Sequence, residues 1–138
     1  MFFPSFASCD KENRITDDTT IMNSKMNIKV GNQIFTATLY DNPTVTALKQ
    51  RLPLTVTMID LNSNEKYYHF SDPLPTNASS PGTIQNGDLM LYQNYSLVLF
   101  YKAFSTSYSY TRLGRIDNPS GLEAALGSGN VTVTFELK

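Results

Sequence analysis

Residues 131–137, Val-Thr-Val-Thr-Phe-Glu-Leu, alternate apolar and polar without a break. Successive strand side chains point to opposite faces, so Val131, Val133, Phe135 and Leu137 form an inward face and Thr132, Thr134 and Glu136 an outward one. A strand this regular at the end of a chain is an exposed edge unless it finds partners. The same period appears early, in residues 26–30 and 34–40 around Gly31-Asn32, residues that tolerate the positive φ of a tight hairpin turn. Pairing the last strand with an early one closes a sheet and removes its edges.

The chain between these ends supplies further short elements. Asp41-Asn42-Pro43 signals a helix start, with Asn42 as cap and Pro43 in the first turn, where its missing N–H costs nothing. Val45, Leu48 and Leu52 make one apolar stripe, and Pro53 ends the helix. Residues 54–59 return to period two with Leu54, Val56 and Met58 inward; residues 62–65 read as a turn and 66–70 as a strand. Residues 84–88 turn into a strand over 89–92. Asp117-Asn118-Pro119 repeats the helix-start grammar and predicts a helix over 119–126, with Leu122 and Leu126 stacked and Gly127-Ser128-Gly129 as its stop. The fold class is mainly all-β: a closed antiparallel β-barrel of about eight strands whose ends are capped by two short helices. A β-sandwich is the competing architecture.

Composition narrows the function classes. A chain of 138 residues suffices for one domain with its own core, and eight Tyr and eight Phe favour sheet. Net charge is −1 and no basic stripe is visible, so nucleic acid is not an expected partner. No run approaches the roughly 18 apolar residues of a spanning helix. One Cys precludes an internal disulfide, and with one His it excludes the usual zinc sets; neither a metal nor a cofactor is expected.

Residues 1–25 read as an address and a tether, with the barrel domain over 26–138. Phe6-Ala7-Ser8-Cys9 resembles a bacterial lipobox with Cys9 as the lipid attachment site, although the stretch before it is shorter than a secretory signal requires. Residues 10–25 hold four acids, three bases and no hydrophobic period, as a flexible tether would. Acylation of Cys9 would make the membrane a partner through a lipid anchor alone and place the protein at the bacterial cell envelope, periplasmic or on the outer membrane. Without acylation the expected location is cytoplasmic.

Candidate contact residues cluster late in the chain. Residues 97–101, Leu-Val-Leu-Phe-Tyr, suit a strand buried on both faces and form the expected central wall. From Thr106 the chain alternates, which puts Tyr108, Tyr110 and Arg112 on one side. Gly114 breaks the ribbon before Arg115. Aromatic bodies with polar tips beside a guanidinium make good contact surfaces. The plain alternative is that these tyrosines only cover the barrel. Residues 71–83 hold three prolines and a glycine and form a long loop carrying Asn77, also the first residue of a glycosylation-type Asn-Ala-Ser triplet. That loop reads equally as a cover over a barrel end. His69, the only histidine, is a general-base candidate by residue type and a solvent-facing strand residue by context. With no Gly-x-Ser-x-Gly elbow, a hydrolase ranks last.

Three stretches carry a family resemblance: residues 38–43 (Thr-Leu-Tyr-Asp-Asn-Pro); residues 74–79 with Pro81-Gly-Thr and residues 87–92; and residues 97–102 running to residues 107–116. Over residues 26–137 the chain resembles the bacterial cyclophilin-like fold proteins, whose Bacteroidetes members often carry a lipoprotein leader. The resemblance implies a cyclophilin-type barrel and no particular reaction. True cyclophilins isomerise prolyl bonds with an arginine, a hydrophobic pocket and nearby glutamine, tryptophan and histidine. This chain has no Trp and lacks the Phe-x-Phe-His-Arg segment, so no catalytic residue carries over. The expectation is a non-catalytic module for a peptide or small molecule, with Tyr108, Tyr110, Arg112, Arg115 and Asn77 as contact residues. A weak peptidyl-prolyl cis-trans isomerase is the alternative.

Overall fold

The computed structural model describes residues 24–138, so Cys9 and most of the expected tether lie outside the described residues. Ten strands and two short helices follow in order: β1 (Lys25–Val30), β2 (Gln33–Leu39), α1 (Pro43–Lys49), β3 (Leu54–Leu61), β4 (Glu65–His69), β5 (Thr83–Ile84), β6 (Asp88–Tyr92), β7 (Ser96–Phe100), β8 (Phe104–Ser105), β9 (Tyr110–Ile116), α2 (Leu122–Leu126) and β10 (Val131–Leu137). Eight strands close an antiparallel barrel in the order β1-β10-β3-β4-β7-β6-β9-β2, and β5 pairs with β8 in a separate two-stranded sheet. The sandwich alternative is thereby excluded. β10 is the closing strand, set between β1 (Ile28 opposite Phe135) and β3 (Val133 opposite Val56).

Period-two patterning sends Met26, Ile28, Phe35, Leu39, Met58, Leu89, Leu91, Leu97, Leu99 and Phe135 into one core. Both ends are covered. Asn42 caps α1 as expected, its Oδ1 accepting from the Val45 N–H at 2.8 Å, and Val45 and Leu48 plug that end. The proline-rich loop reinforces the plug. Leu74 enters the core, the Thr44 hydroxyl donates to the Pro75 carbonyl at 2.6 Å, and Arg51 donates to the carbonyls of Asp72 and Pro73.

At the opposite end α2 contributes Leu122 and Leu126. It is shorter than the sequence predicts, because Gly121 sits in the left-handed region at φ 83° and residues 119–121 form a turn instead. Beside α2, Lys66 points into the barrel and is wholly buried. Its ammonium is 3.1 Å from the Asp60 carboxylate and donates to the carbonyls of Gly127 (2.8 Å) and Gly129 (2.6 Å). A buried charge is tolerated only with such complete pairing. The Tyr101 hydroxyl also donates to Asp60, and that bond first, then the ammonium, outweighs desolvation to hold the Asp60 carboxyl below its ordinary range.

The stretch from Thr106 is not the continuous ribbon expected. Residues 106–109 are irregular, with the Thr106 Oγ1 accepting from the Tyr108 N–H, and β9 begins only at Tyr110. Gly114 does not break the strand. It lies inside β9 next to an irregularity of register, where Leu89 opposes Gly114 and Met90 opposes Arg112. Leu113 and Ile116 therefore both reach the core although three residues apart. A Cβ on Gly114 would lie 2.5 Å from the Thr38 carbonyl oxygen and 3.1 Å from the Leu39 Cα, both backbone atoms that cannot step aside. Gly114→Ala is expected to cost about 2–4 kcal/mol by prising β9 from β2, whereas Gly31→Asn at an open turn stays near neutral. Urea unfolding of the two variants checks this; a Gly114→Ala midpoint equal to wild type contradicts it.

Candidate functional site: a tyrosine-lined pocket on the outer barrel wall

The barrel interior is filled by its own side chains, and the candidate site lies on the outer wall. Over β4, β7, β6 and β9 that wall is unusually apolar. Met90, Val98, Phe100 and Tyr110 point outward and join Ile84 in a second buried cluster, with Tyr67, Tyr92 and Phe104 packed against it. The β5–β8 sheet covers part of it, which is why every residue of β7 is buried, as the run 97–101 predicts.

The uncovered part is a pocket of about 360 Å³. Alternation on β4 sends Glu65, Tyr67 and His69 into it while Lys66 and Tyr68 turn inward. Ser96 and Val98 of β7 form its floor, with Tyr92 of β6 and Tyr110 of β9 on the far side. Leu61, the last residue of β3, completes the rim with Asn62, Tyr95 and Tyr108 from connecting segments. Two packed aromatic groups line the pocket. Tyr92 packs on Tyr108 and Tyr110 at centroid distances of 5.9 and 5.4 Å, and His69 lies between Tyr67 (4.8 Å) and Tyr95 (5.0 Å). Tilted and edge-on rings at such separations hold one another in place.

The polar groups sit at the two ends. At one, the buried Ser96 hydroxyl and His69 Nδ1 are 2.7 Å apart, directly opposite across the β4–β7 ladder. This is a cross-strand pair rather than an activated nucleophile: the serine is buried within a strand, and among the described residues no carboxylate bonds the other ring nitrogen. At the other end stands Glu65, its carboxyl pushed up to about 7 from an ordinary 4.5 by burial and, second, by the nearby Asp60 charge. Burial, then the Glu65 charge, likewise raises the Tyr110 phenol.

The residues singled out in the sequence fall in different places. Tyr110 (5% exposed) and Tyr108 (62%) both line the pocket, the first as wall and the second as rim. Arg112 opposes Met90 on the outer wall but does not line the pocket. Arg115 is bound elsewhere, its Nε donating at 2.7 Å to the buried Asp88, whose other oxygen accepts from the Gln85 N–H. Asn77 is exposed on the loop, its N–H donating to the Thr111 hydroxyl. Glu65, Tyr67, Tyr92 and Ser96 line the pocket without being candidates in the sequence. The sequence signal for them is the alternation Glu65-x-Tyr67-x-His69, which the turn-like residues 62–64 just before it obscure. Among the described residues no cluster of three His, Cys, Asp or Glu is arranged to hold a metal, and no helix is long and apolar enough to cross a membrane.

Glu65 gives the pocket a pH signature. Its carboxyl is raised in the fold, so its stabilising contribution is complete below the ordinary value of 4.5 and is lost as pH rises through about 7. Asp60 and Asp117, both lowered, contribute in the opposite sense and lose their contribution only in acid. Between about pH 5 and pH 8 the wild type should lose on the order of 1 kcal/mol more than Glu65→Gln, the solvent at the rim weakening the effect. Urea unfolding at the two pH values measures the difference, and parallel losses in both proteins contradict it.

Comparisons with known proteins bear on fold and family. The model of the cyclophilin-like family matches residues 28–136, most of the chain. The solution structure of a hypothetical protein from Archaeoglobus fulgidus superimposes with a TM-score of 0.65 at 20% identity, covering 85% of this chain and 96% of that one. At that identity the likeness speaks for fold alone. No curated protein matches. The family match spans nearly all of the barrel and agrees with its closed eight-strand topology. The chain belongs to the cyclophilin-like family.

Proposed function

We propose that the domain is a binding module and that its site is the tyrosine-lined pocket on the outer wall. The observation that carries this reading is the pocket's make-up. A hollow of about 360 Å³ falls within the range of small-molecule sites, which are mostly apolar with a few convergent polar groups. Here Tyr67, Tyr92, Tyr95, Tyr108 and Tyr110 supply apolar area with polar tips, and Glu65, His69 and Ser96 supply the polar groups. A small molecule or one or two side chains of a peptide fits that volume. Acylation at Cys9 would hold this module at the cell envelope, a reading supported by the lipobox-like residues 6–9.

Prolyl isomerisation draws less support. Arg115 is committed to Asp88, and neither it nor Arg112 lines the pocket where a peptide bond would be polarised. The binding reading is tested by a thermal-shift screen of metabolites and short peptides. Hits are expected to weaken about five- to thirtyfold with Tyr108→Ala and Tyr67→Ala, each worth about 1–2 kcal/mol, and to be unaffected by Arg112→Ala. Hits that ignore both tyrosine substitutions would place binding elsewhere.

A further inference from the structure

We propose that the pocket takes a substituted ammonium group, seated between the tyrosine faces with Glu65 as its counter-charge. This rests on the binding reading and names the ligand's chemical class. Three features point the same way. First, the walls hold two aromatic groups, Tyr67–His69–Tyr95 and Tyr92–Tyr108–Tyr110. Ring faces carry negative charge density and attract cations, most strongly where water is displaced.

Second, the one ionisable acid in the pocket has no cation of its own. Among the described residues the acids that pair with Lys or Arg are Asp60, Asp88, Asp117, Glu123 and Glu136, not Glu65. Third, among the described residues no Lys or Arg lines the pocket. Lys66, the chain neighbour of Glu65, is turned to the opposite face of β4 and saturated by Asp60, Gly127 and Gly129. A half-buried carboxyl beside five phenols, unpaired with any Lys or Arg among the described residues, is complementary to a cation from outside. An ammonium bearing alkyl groups suits the site best, since its hydrocarbon shell matches the rings while its charge meets Glu65. A neutral or anionic ligand would leave that carboxyl, when ionised, without a counter-charge.

Such a group can come free in solution, as in choline, or on a peptide, as in an N-trimethylated lysine side chain. Chemical-shift titrations of the full chain distinguish them. The probes are choline and its uncharged carbon isostere with tert-butyl in place of trimethylammonium, then a trimethyllysine tripeptide and its norleucine counterpart. For at least one pair the charged probe should bind about tenfold or more tighter than the neutral one, shifting the amides of Tyr67, Tyr92 and Val98. Glu65→Gln and Tyr108→Ala should each remove most of that preference, and Arg112→Ala should leave it intact. Choline alone binding assigns a free ligand, and the tripeptide alone a peptide side chain. Equal binding of charged and neutral probes in the pocket overturns the ammonium inference and leaves the binding reading standing. No response to either charged probe overturns the inference too, and the library screen then decides the binding reading separately.

Discussion

The seam made by β10 is the constraint on which the rest of the molecule depends. Val133 meets Val56 on one side and Val30 on the other, so a single strand joins the two ends of the sheet into a ring. Closure gives every barrel strand a neighbour on both sides, so none stands as the edge strand of an open sheet. It also fills the interior with Met26, Ile28, Met58, Leu99 and Phe135, and stoppers both ends with helices. Recognition is thereby displaced to the outer wall. There Met90, Val98, Phe100 and Tyr110 form a second apolar layer, which the β5–β8 sheet only partly covers.

Strand β4 shows how alternation separates chemistry between these two layers. Lys66 and Tyr68 go inward and Glu65, Tyr67 and His69 outward, so adjacent residues of opposite charge never meet. Lys66 becomes a structural tie to Gly127 and Gly129, in a network where Asp60 also takes the Tyr101 hydroxyl. Among the described residues Glu65 is left without a countercharge, and the same Asp60 that satisfies Lys66 adds to the repulsion on it. One arrangement thus both locks the barrel end and leaves a carboxyl available in the pocket.

Much of this is legible in the sequence, and the rest fails for identifiable reasons. Strict alternation in residues 131–137 and the Asn42-Pro43 cap predict β10 and α1 because both are local signals that packing reinforces. The apolar run 97–101 predicts a strand covered on both faces. Alternation over residues 106–112 misleads, since Thr106 turns the chain locally and only Tyr110 onward pairs with β6. Arg115 looks free in sequence because its partner Asp88 is 27 positions away and sits beside a turn. Gly114 reads as a breaker although its role is a close approach to Thr38 and Leu39, which no local pattern reveals. The pocket draws on β4, β6, β7 and β9, and its walls meet only after the barrel closes.

The most direct measurement is a crystal structure of the protein with a trimethylammonium compound bound. The expected result is a cation held within about 6 Å of the Tyr67 and Tyr92 or Tyr110 ring centroids, with the Glu65 carboxylate as its nearest charge. Density for the compound away from the outer wall of β4, β7, β6 and β9, with the tyrosine pocket left empty, would contradict it.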